Sequence, residues 1–421
     1  MESTLEQVTR RLAPEARITV LTGAGVSAAS GVPTFRGADG LWNGVRVEDM
    51  ATPEAFARRP RQVSEWYDWR RQHIARVRPN PAHHVLASWG LRFPRFTLIT
   101  QNVDGLHERA GSAAVLRMHG SIWEVSCWKR CAGAPARWRD DTVPWPELPP
   151  PCPHCGGPLR PGVVWFGETL DADVLDRCFD ATSCDVFFTI GTSAVVYPAA
   201  GLVDLARARG ACTIEVNPEA TPASTDVDIV VAVPAEEALP AIEARLGPHP
   251  LVLETVRLRL EPVLPRDATA MHRLWTDPEV RRYLWDDEVI PFERAEAAAL
   301  ASAADFAAHR FGLWSLIERR TGALAGFCGL RTEGIGDEPE LLFGLLPAYW
   351  GRGLVQEASR AVLDYVFRTL GLPRVIAATD VANERSARTL AAIGMRLERR
   401  GLHDGLDTLF YGIEGLVDAG A

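Results

Sequence analysis

The sequence predicts an α/β protein made of two consecutive domains, and three observations support this prediction. The chain has 421 residues, which is more than one hydrophobic core usually serves. Short apolar runs alternate with helical patterns through the first half, which is typical of a mostly parallel sheet with helices between its strands. Pro and Gly then crowd residues 247–250 (GPHP), and a second mixed pattern follows. We therefore expect one domain over residues 1–248 and another over residues 253–417.

Composition and charge narrow the class of protein. Hydrophobic residues make up 47% of the chain and charged residues 24%, as in soluble globular proteins. The sequence contains neither a run of about 18 apolar residues nor the apolar segment of a secretory signal, so we expect a cytoplasmic protein that does not enter a membrane. The net charge of −9 argues against a dedicated nucleic-acid-binding protein. The sequence leaves the oligomeric state open.

Four apolar runs in the first domain are predicted strands, and each is followed by glycine or by polar residues. The runs are ITVL (18–21), FTLIT (96–100), DVFFTI (185–190) and TIEV (213–216). The residues that follow them are Gly23, Ala24 and Gly25; Gln101, Asn102, Val103 and Asp104; Gly191, Thr192 and Ser193; and Asn217, Pro218 and Glu219. Ligands of open parallel sheets bind beyond the carboxyl ends of the strands, so these endings predict one crevice rather than four unrelated turns. The two glycines allow the backbone to approach a phosphate, and the helix after them offers N–H groups to it.

Half of the eight cysteines fall within 29 residues, and they predict a zinc site. Cys127 and Cys131 form one close pair, and Cys152 and Cys155 form a second pair after twenty intervening residues. Four thiolates give a closed tetrahedral site with no position for a reactive water, so the predicted zinc is structural. Clustering by chance is the alternative. The module is expected at about residues 120–160.

Five segments of the first domain resemble sequence blocks of the sirtuins, in the same order and at similar spacing. These segments are GAGVSAASGVPTFRG (23–37), TQNVDGLHERAG (100–111), MHGS (118–121), RPGVVWFGE (160–168) and GTSAVVYPAA (191–200). The resemblance covers residues 17 to about 245. It implies a Rossmann-like parallel sheet with a zinc-binding module. It also implies NAD-dependent removal of acyl groups from protein lysines, which releases nicotinamide and O-acyl-ADP-ribose.

The resemblance also implies which residues bind NAD. Gly23, Ala24 and Gly25 would cradle the phosphates, Asn102 and Asp104 would hold the ribose and the nicotinamide carboxamide, and Arg36 would lie near the nicotinamide ribose. Residues 191–193 and Asn217 would take the adenosine half. The remaining expected NAD contacts are Ala28, Thr34, Phe35, Trp42, Gln101, Val103, Pro218, Glu219 and Ala235.

His119 is the predicted catalytic base. A histidine before glycine is by itself more often a capping or packing residue, but His119 lies in MHGS, between the nicotinamide-site segment and the cysteine module. A neutral imidazole can remove a proton from a ribose hydroxyl near pH 7. The sequence interpretation treats His83, His84 and His107 as helix-surface or packing residues.

Residues 51–71 (ATPEAFARRPRQVSEWYDWRR) resemble the sirtuin branch that removes succinyl and malonyl groups. The resemblance assigns Ala51 to a widened acyl pocket, and it assigns Tyr67 and Arg70 to the distal carboxylate of the acyl group. A guanidinium pairs well with a carboxylate, and a tyrosine hydroxyl adds a further hydrogen bond. The alternative is an exposed helix on which Tyr67 and Arg70 do nothing. The other expected substrate contacts are Val164, Phe166 and Gly167.

The second domain resembles the GNAT N-acetyltransferases, particularly the ribosomal-protein-alanine type. The segments that carry this resemblance are TVRLRLEPVLPRD (255–267), DPEVRRYL (277–284), PAYWGRGLVQEA (347–358) and NERSARTLAAIGM (383–395). It implies an α/β domain that binds acetyl-CoA through Gly351, Arg352, Gly353 and Asn383. Glu340 is either the base for an amine substrate or a solvated carboxylate. Val355 stands where the family has Gly or Ala.

Three functions remain open at this level. The leading one is a bifunctional enzyme that removes and adds acyl groups. A second is a deacylase whose GNAT domain only senses acyl-CoA, to which Val355 points, and a third is an ADP-ribosyltransferase. Lys129 is the single lysine of the chain, which reflects either codon usage or the avoidance of self-modification.

Overall fold

The computed structural model describes residues 2–34, 41–42 and 45–415. It divides the chain into two compact units between Gly247 and Pro248. The sequence interpretation begins the second domain at residue 253, but Leu251 is 0% exposed and its carbonyl accepts a 2.7 Å hydrogen bond from Trp314 Nε1. The segment before residue 253 therefore packs within the second unit.

The first unit alternates helices and strands, as the sequence predicts. Its helices are α1 (Glu2–Arg11), α2 (Val47–Met50), α3 (Pro53–Arg58), α4 (Pro60–Arg76), α5 (Pro81–Arg92), α6 (Leu106–Arg109), α7 (Ala172–Ala181), α8 (Gly201–Ala208) and α9 (Ala235–Glu243). Its strands are β1 (Ile18–Thr22), β2 (Leu41–Trp42), β3 (Val45–Arg46), β4 (Phe96–Thr100), β5 (Val115–Arg117), β6 (Gly120–Cys127), β7 (Trp138–Arg139), β8 (Leu159–Val163), β9 (Val186–Ile190), β10 (Cys212–Val216) and β11 (Ile229–Val231).

The main sheet of the first unit is parallel, which confirms the predicted fold class. Its strand order is β11-β10-β9-β1-β4-β5. β1 lies between β4 and β9, and its last residue, Thr22, pairs with Thr100 on one side and Ile190 on the other. The strand order therefore reverses at β1, and such a switch point opens a crevice beyond the carboxyl ends of the strands. Every residue of β1 and β9 is buried, because helices cover both faces of a parallel sheet.

A small antiparallel sheet carries the cysteines. Its strand order is β7-β6-β8, and β6 ends at Cys127. Helix α4 contributes Val63, Tyr67 and other apolar residues to the core that packs beneath this sheet. The helix that holds the predicted acyl-pocket residues is thus supported by the cysteine module.

The second unit contains a largely antiparallel sheet with helices. Its helices are α10 (Ala268–Trp275), α11 (Pro278–Arg281), α12 (Phe292–His309), α13 (Leu354–Asp364) and α14 (Glu384–Ala392). Its strands are β12 (Leu253–Glu254), β13 (Leu258–Pro262), β14 (Leu313–Glu318), β15 (Leu324–Arg331), β16 (Glu340–Leu345), β17 (Arg374–Asp380), β18 (Arg396–His403) and β19 (Leu406–Glu414). The strand order is β12-β13-β14-β15-β16-β17-β19-β18, and β16 and β17 are parallel neighbours that pair at Glu340 and Ile376.

Among the residues that the structure describes, no helix has the length and apolar character needed to cross a membrane.

Candidate functional site

The four predicted strand endings lie together at one edge of the main sheet. Gly23 N donates to Ile190 O at 3.0 Å, and Gln101 N donates to Thr22 O at 3.0 Å. Gly191 N donates to Val216 O at 3.0 Å, which links the last two endings. The loops that follow β1, β4, β9 and β10 therefore form one continuous rim, as expected for a nucleotide crevice.

Glycine is required where two of these loops touch. A Cβ on Gly25 would lie 2.8 Å from Gly191 Cα, and a Cβ on Gly191 would lie 2.4 Å from Val26 N. Gly191 also has φ +57°, which disfavours other residues. The sequence predicted a helix after Gly25, and the structure has a short 3₁₀ helix over Ala24–Ser30. Gly25 N donates to Gly191 O at 2.7 Å, so the two glycines hold these loops together at the edge of the crevice.

A pocket opens beside these glycines. Its lining includes Ala24, Ser27, Arg70, Asn102 and Asp104. Asn102 Nδ2 donates to Gly23 O at 3.0 Å, and Ser27 Oγ donates to Asp104 Oδ2 at 2.8 Å. Asp104 is 4% exposed, and burial raises the pKa of its carboxyl. The pocket thus presents an oriented amide and a carboxyl, the groups expected to hold a ribose and a carboxamide.

Beneath this pocket lie polar residues that the sequence interpretation passed over. His83 Nε2 is 3.3 Å from Ser27 Oγ, and His107 Nε2 is 2.9 Å from Thr22 Oγ1. The two imidazole rings lie 4.9 Å apart between centroids. Burial lowers the pKa of both, that of His107 to about 4, so they are neutral at pH 7. Of the two expectations for His83 and His107, a helix surface or a packing position, burial contradicts the first and agrees with the second. Ser27, which lies inside the glycine-rich block, was the one residue in the sequence that could have pointed to a polar contact beneath the pocket.

His119 lies between β5 and β6, next to the same rim. Its Nδ1 is 3.0 Å from the carbonyl of Gln101, so the ring proton of the neutral form lies on Nδ1 and Nε2 has a free lone pair. Burial lowers the pKa of His119, and the Gln101 carbonyl opposes this effect. The ring is therefore neutral at pH 7, which is the form that a general base needs.

The predicted acyl-pocket residues lie on both sides of the segment that follows β8. Val164 N donates to His119 O at 2.9 Å, and Phe166 N donates to Ala51 O at 2.9 Å. Phe166 itself is 49% exposed, and Gly167 follows it with φ +85°. One short segment therefore connects the predicted base to the predicted acyl pocket.

Tyr67 and Arg70 are buried on α4. They are 1% and 3% exposed, so the alternative that they lie on an exposed helix is wrong. Trp165 Nε1 donates a 2.9 Å hydrogen bond to Tyr67 Oη. The Arg70 guanidinium lies 4.7 Å from the centre of the Trp66 ring, and burial lowers its pKa. A buried guanidinium against an aromatic wall attracts an anion strongly, because little water screens it.

The remaining predicted NAD residues differ in their positions and in their exposure to solvent. Thr192 joins two loops, since its Oγ1 accepts from Gln101 Nε2 at 3.0 Å and its carbonyl accepts from Asn217 Nδ2 at 2.9 Å. Val103 lines the pocket, and Ala235 is buried at the first turn of α9. Thr34 is half-buried, and the residues that point to solvent are Ala28, Ser193, Pro218 and Glu219. Phe35, Arg36 and the side chain of Trp42 lie outside the described residues.

The four clustered cysteines fit a zinc ion. All four Sγ atoms lie within 4.8 Å of one another, with Cys127 3.6 Å from Cys155 and Cys131 3.9 Å from Cys152. Sulfur atoms at ~2.3 Å from a tetrahedral zinc are about 3.8 Å apart, so the observed spacing suits that ion. The backbone N–H of Cys131 lowers the pKa of Cys127 to about 7, which favours the thiolate that zinc binds.

In the second unit, the predicted acetyl-CoA turn precedes α13. Gly351 and Gly353 have φ +69° and +71°, and Gly353 caps the helix. Arg352 between them pairs with Glu318 at 2.5 Å. Asn383 Oδ1 accepts from Ser386 N at 3.2 Å and so caps α14.

The structure contradicts one of the two interpretations that the sequence allowed for Glu340. It is buried at the start of β16, and Arg331 pairs with it at 2.7 Å. The solvated carboxylate is therefore wrong, and the carboxylate is already neutralised by a cation.

Comparison with known proteins agrees with this geometry. The Sir2 family model matches residues 23–198, and the acetyltransferase (GNAT) domain model matches residues 257–396. An NAD-dependent protein deacylase of Aquifex aeolicus is 54% identical over 213 residues, which make up 50% of this chain and 87% of that protein. An NAD-dependent protein deacylase of Aeropyrum pernix is 46% identical over 248 residues, or 59% of this chain and 99% of that protein. A solved Sir2 homologue–NAD complex is 42% identical with a TM-score of 0.52, and the match covers 59% of this chain and 95% of that chain. The chain belongs to the Sir2 family, and a GNAT acetyltransferase domain follows its Sir2 domain.

Proposed function

We propose that the first unit is an NAD-dependent deacylase of acylated protein lysines. The observation that carries this proposal is His119, whose free Nε2 lies on the rim that the loops after β4 and β9 share. The NAD-dependent deacylases among the relatives support it, since their similarity spans nearly their whole length.

The residues of the chain divide the work as follows. NAD, when bound, would supply the ribose carbon that accepts the acyl oxygen, with nicotinamide as the leaving group. Gly23 to Gly25 would let the phosphates approach the backbone closely, since no side chain blocks Gly23 or Gly25, and Asn102 and Asp104 would orient the nicotinamide half. His119 Nε2 would accept the proton of a ribose hydroxyl, while the Gln101 carbonyl holds Nδ1–H and stabilises the imidazolium that forms.

The proposed acyl preference is for succinyl and malonyl groups. Arg70 supplies a buried positive charge near the end of the pocket, and Tyr67 supplies a hydroxyl held by Trp165. Ala51 adds little volume to the wall. A dicarboxylic acyl group brings the carboxylate that such a pair would bind bidentately and with one further hydrogen bond. An acetyl group has no charge there.

The test is mass spectrometry of acetyl-, malonyl- and succinyl-lysine peptides incubated with the full chain and NAD. We expect deacylated peptide and nicotinamide in equal amounts, with the succinyl and malonyl peptides turned over faster. Zinc stays bound throughout, since the closed cysteine site has only a structural role. Nicotinamide release that does not depend on acyl peptide would contradict deacylation and support ADP-ribosyl transfer.

For the second unit, we propose acetyl-CoA binding, and transfer of the acetyl group to an amine. The glycine turn before α13 supports binding, because it presents N–H groups at the start of an 11-residue helix. Regulation without transfer is the second candidate, and the ion pair between Glu340 and Arg331 favours it, since the guanidinium already occupies the carboxylate that would have to meet an amine. Calorimetry with acetyl-CoA, followed by assay of transfer to amines and N-terminal peptides, separates the two. Binding without transfer selects the regulatory role, and no binding contradicts both.

A further inference from the structure

Lys129 provides a chemical group that no other side chain of this protein has. Of the 45 lysine and arginine residues, 44 are arginine, and Lys129 alone offers a primary amine. It lies between Cys127 and Cys131 and is exposed. Arginine supplies the same charge at every other position, so the distinct property of Lys129 is that acyl donors can modify it.

The stem of Lys129 and the thiol of Cys155 lie on the same side of Gly157. From the place where a Cβ on Gly157 would lie, Lys129 Cδ and Cε are 2.8 and 3.0 Å away, and Cys155 Sγ is 3.3 Å away. Glycine at 157 thus leaves the space that the lysine stem occupies beside a thiolate. Four thiolates around Zn²⁺ leave about two negative charges in excess, and a nearby ammonium reduces their repulsion.

We propose that Lys129 is a reversible acylation site through which acyl-CoA weakens the hold of the zinc module on its metal. The inference rests on the proposed deacylase function for the reverse step. In acylation, the Nε lone pair attacks the thioester carbonyl, the C–S bond breaks, and CoA leaves as the thiol with the proton that nitrogen releases. The product amide has no positive charge, and a succinyl or malonyl group adds a negative one.

The deacylase of a second copy of the chain removes the acyl group. His119 precedes β6 and Lys129 follows it, and at about 3.3 Å per residue the strand from Gly120 to Cys127 separates its two ends by roughly 23 Å. A single side chain does not extend that far, and the reaction is therefore between molecules. One NAD and one water are consumed, and nicotinamide, O-acyl-ADP-ribose and the free amine are released.

The first measurement is the mass of the full chain after incubation with acetyl-CoA or succinyl-CoA. Peptide mapping distinguishes Lys129 from the N-terminal amine. We expect an acyl group on Lys129 that disappears when NAD is added, and no adduct at this position in Lys129→Arg. A succinyl-lysine reference peptide in the same tube reports the deacylase itself.

The second measurement is the rate at which a chelating indicator takes zinc from the full chain. Lys129→Gln and the acetylated chain should lose zinc about two- to fivefold faster than the unmodified chain, and the succinylated chain faster still. Lys129→Arg should behave as wild type. Arg130→Gln is the matched control, because it removes the neighbouring charge and leaves the stem over Gly157 unchanged.

Four results would overturn the inference. In the first, Lys129 stays unmodified while a lysine in a reference peptide is acylated. In the second, the adduct persists while NAD clears the succinyl-lysine peptide, which leaves the deacylase function standing. In the third, the peptide also survives, and both proposals fail. In the fourth, the rate of zinc loss is the same for Lys129→Gln, Arg130→Gln and wild type. A rate that rises equally in both variants counts as the same result, because the effect would then not be specific to Lys129.

Discussion

At the scale of single residues, the contact between His119 and Gln101 determines which ring nitrogen can act. The carbonyl 3.0 Å from Nδ1 accepts a hydrogen bond from Nδ1–H and leaves the lone pair of Nε2 for the proposed role as base. We expect His119→Ala to lower kcat/KM for an acyl-lysine peptide by ~10²–10⁴-fold, while NAD binding measured by calorimetry is retained. Turnover near that of wild type would show that another group takes the proton.

The same residue determines the acid side of the pH profile. Burial lowers the pKa of His119 below the ordinary value of 6.5, so the neutral base persists to lower pH than in a free imidazole. kcat/KM should therefore stay level through pH 7 and fall only below 6.5, as the ring gains a proton. A midpoint above 6.5 would contradict the proposed protonation state.

Arg70 is the residue on which the proposed preference for succinyl and malonyl groups depends. Arg70→Met should lower kcat/KM for succinyl- and malonyl-lysine by roughly 30- to several-thousand-fold, since an unpaired buried carboxylate costs ~2–5 kcal/mol. Acetyl-lysine should lose little. Tyr67→Phe should act in the same direction but more weakly, at about 1.5–3 kcal/mol for one hydrogen bond to a charge. Arg61→Met, exposed on the same helix, is the control, and an unchanged succinyl-to-acetyl ratio in Arg70→Met would mean an ordinary deacetylase.

At the scale of elements, α4 is held to the cysteine module by Arg71. This side chain is fully buried, and it donates to Ile122 O at 2.9 Å and to Asp140 Oδ1 at 2.7 Å. Arg71→Met should lower the free energy of unfolding of the first unit by ~3–5 kcal/mol, because it leaves buried acceptors without their donor. Arg61→Met should change it by less than about 0.5 kcal/mol. Thermal unfolding of the two variants measures the difference. Equal melting temperatures would show that Arg71 contributes nothing to the stability of the first unit.

The four strands that the sequence predicted in the first unit are runs of apolar residues, and most of their residues are buried. FTLIT matches β4, and the other three runs match β1, β9 and β10 to within a residue or two at each end. β5 has three residues, too few for a period to be visible. The burial of Arg71 could not be predicted, because charged residues in a helical pattern normally mark its solvent face. Its partners, Ile122, Asp140 and Thr142, lie far from it in sequence, and the helical pattern contains no information about them.

At the scale of the whole molecule, zinc should affect one unit and not the other. All four ligands lie before residue 248, so removing the metal, or Cys152→Ser, should lower the melting temperature of the first unit alone. Calorimetry of the full chain with and without a chelator should show one transition that shifts and one that does not. A fragment beginning at Pro248, which retains Leu251, should reproduce the constant transition and bind acetyl-CoA. Less than one zinc per chain in the wild type, purified without chelator, would contradict the four-thiolate site.

A cluster of Pro and Gly marks the boundary between the units in the sequence. The sequence did not show that the residues from 248 to 252 already belong to the second unit. Leu251 follows that cluster within five residues and is already part of the second core. A pattern of turn-forming residues locates the boundary between two domains. The hydrogen bond from Trp314 Nε1 to the Leu251 carbonyl depends on the fold, so the pattern does not reveal it.

One turn of α4 has a consequence for how this enzyme can diversify. Arg70 faces the pocket, and Arg71, the next residue, is fastened to Ile122, Asp140 and Thr142 of the cysteine module. Asp68 on the same turn accepts from Trp145 N at 2.8 Å, which adds a second fastening to the same loop. If the proposed acyl pocket is correct, we expect substitutions in the loop over residues 140–145 to shift this turn and change the choice of acyl group without altering a pocket residue. Residues outside the pocket would then influence the proposed substrate preference. Exchanging the cysteine module between relatives would be expected to transfer part of that preference.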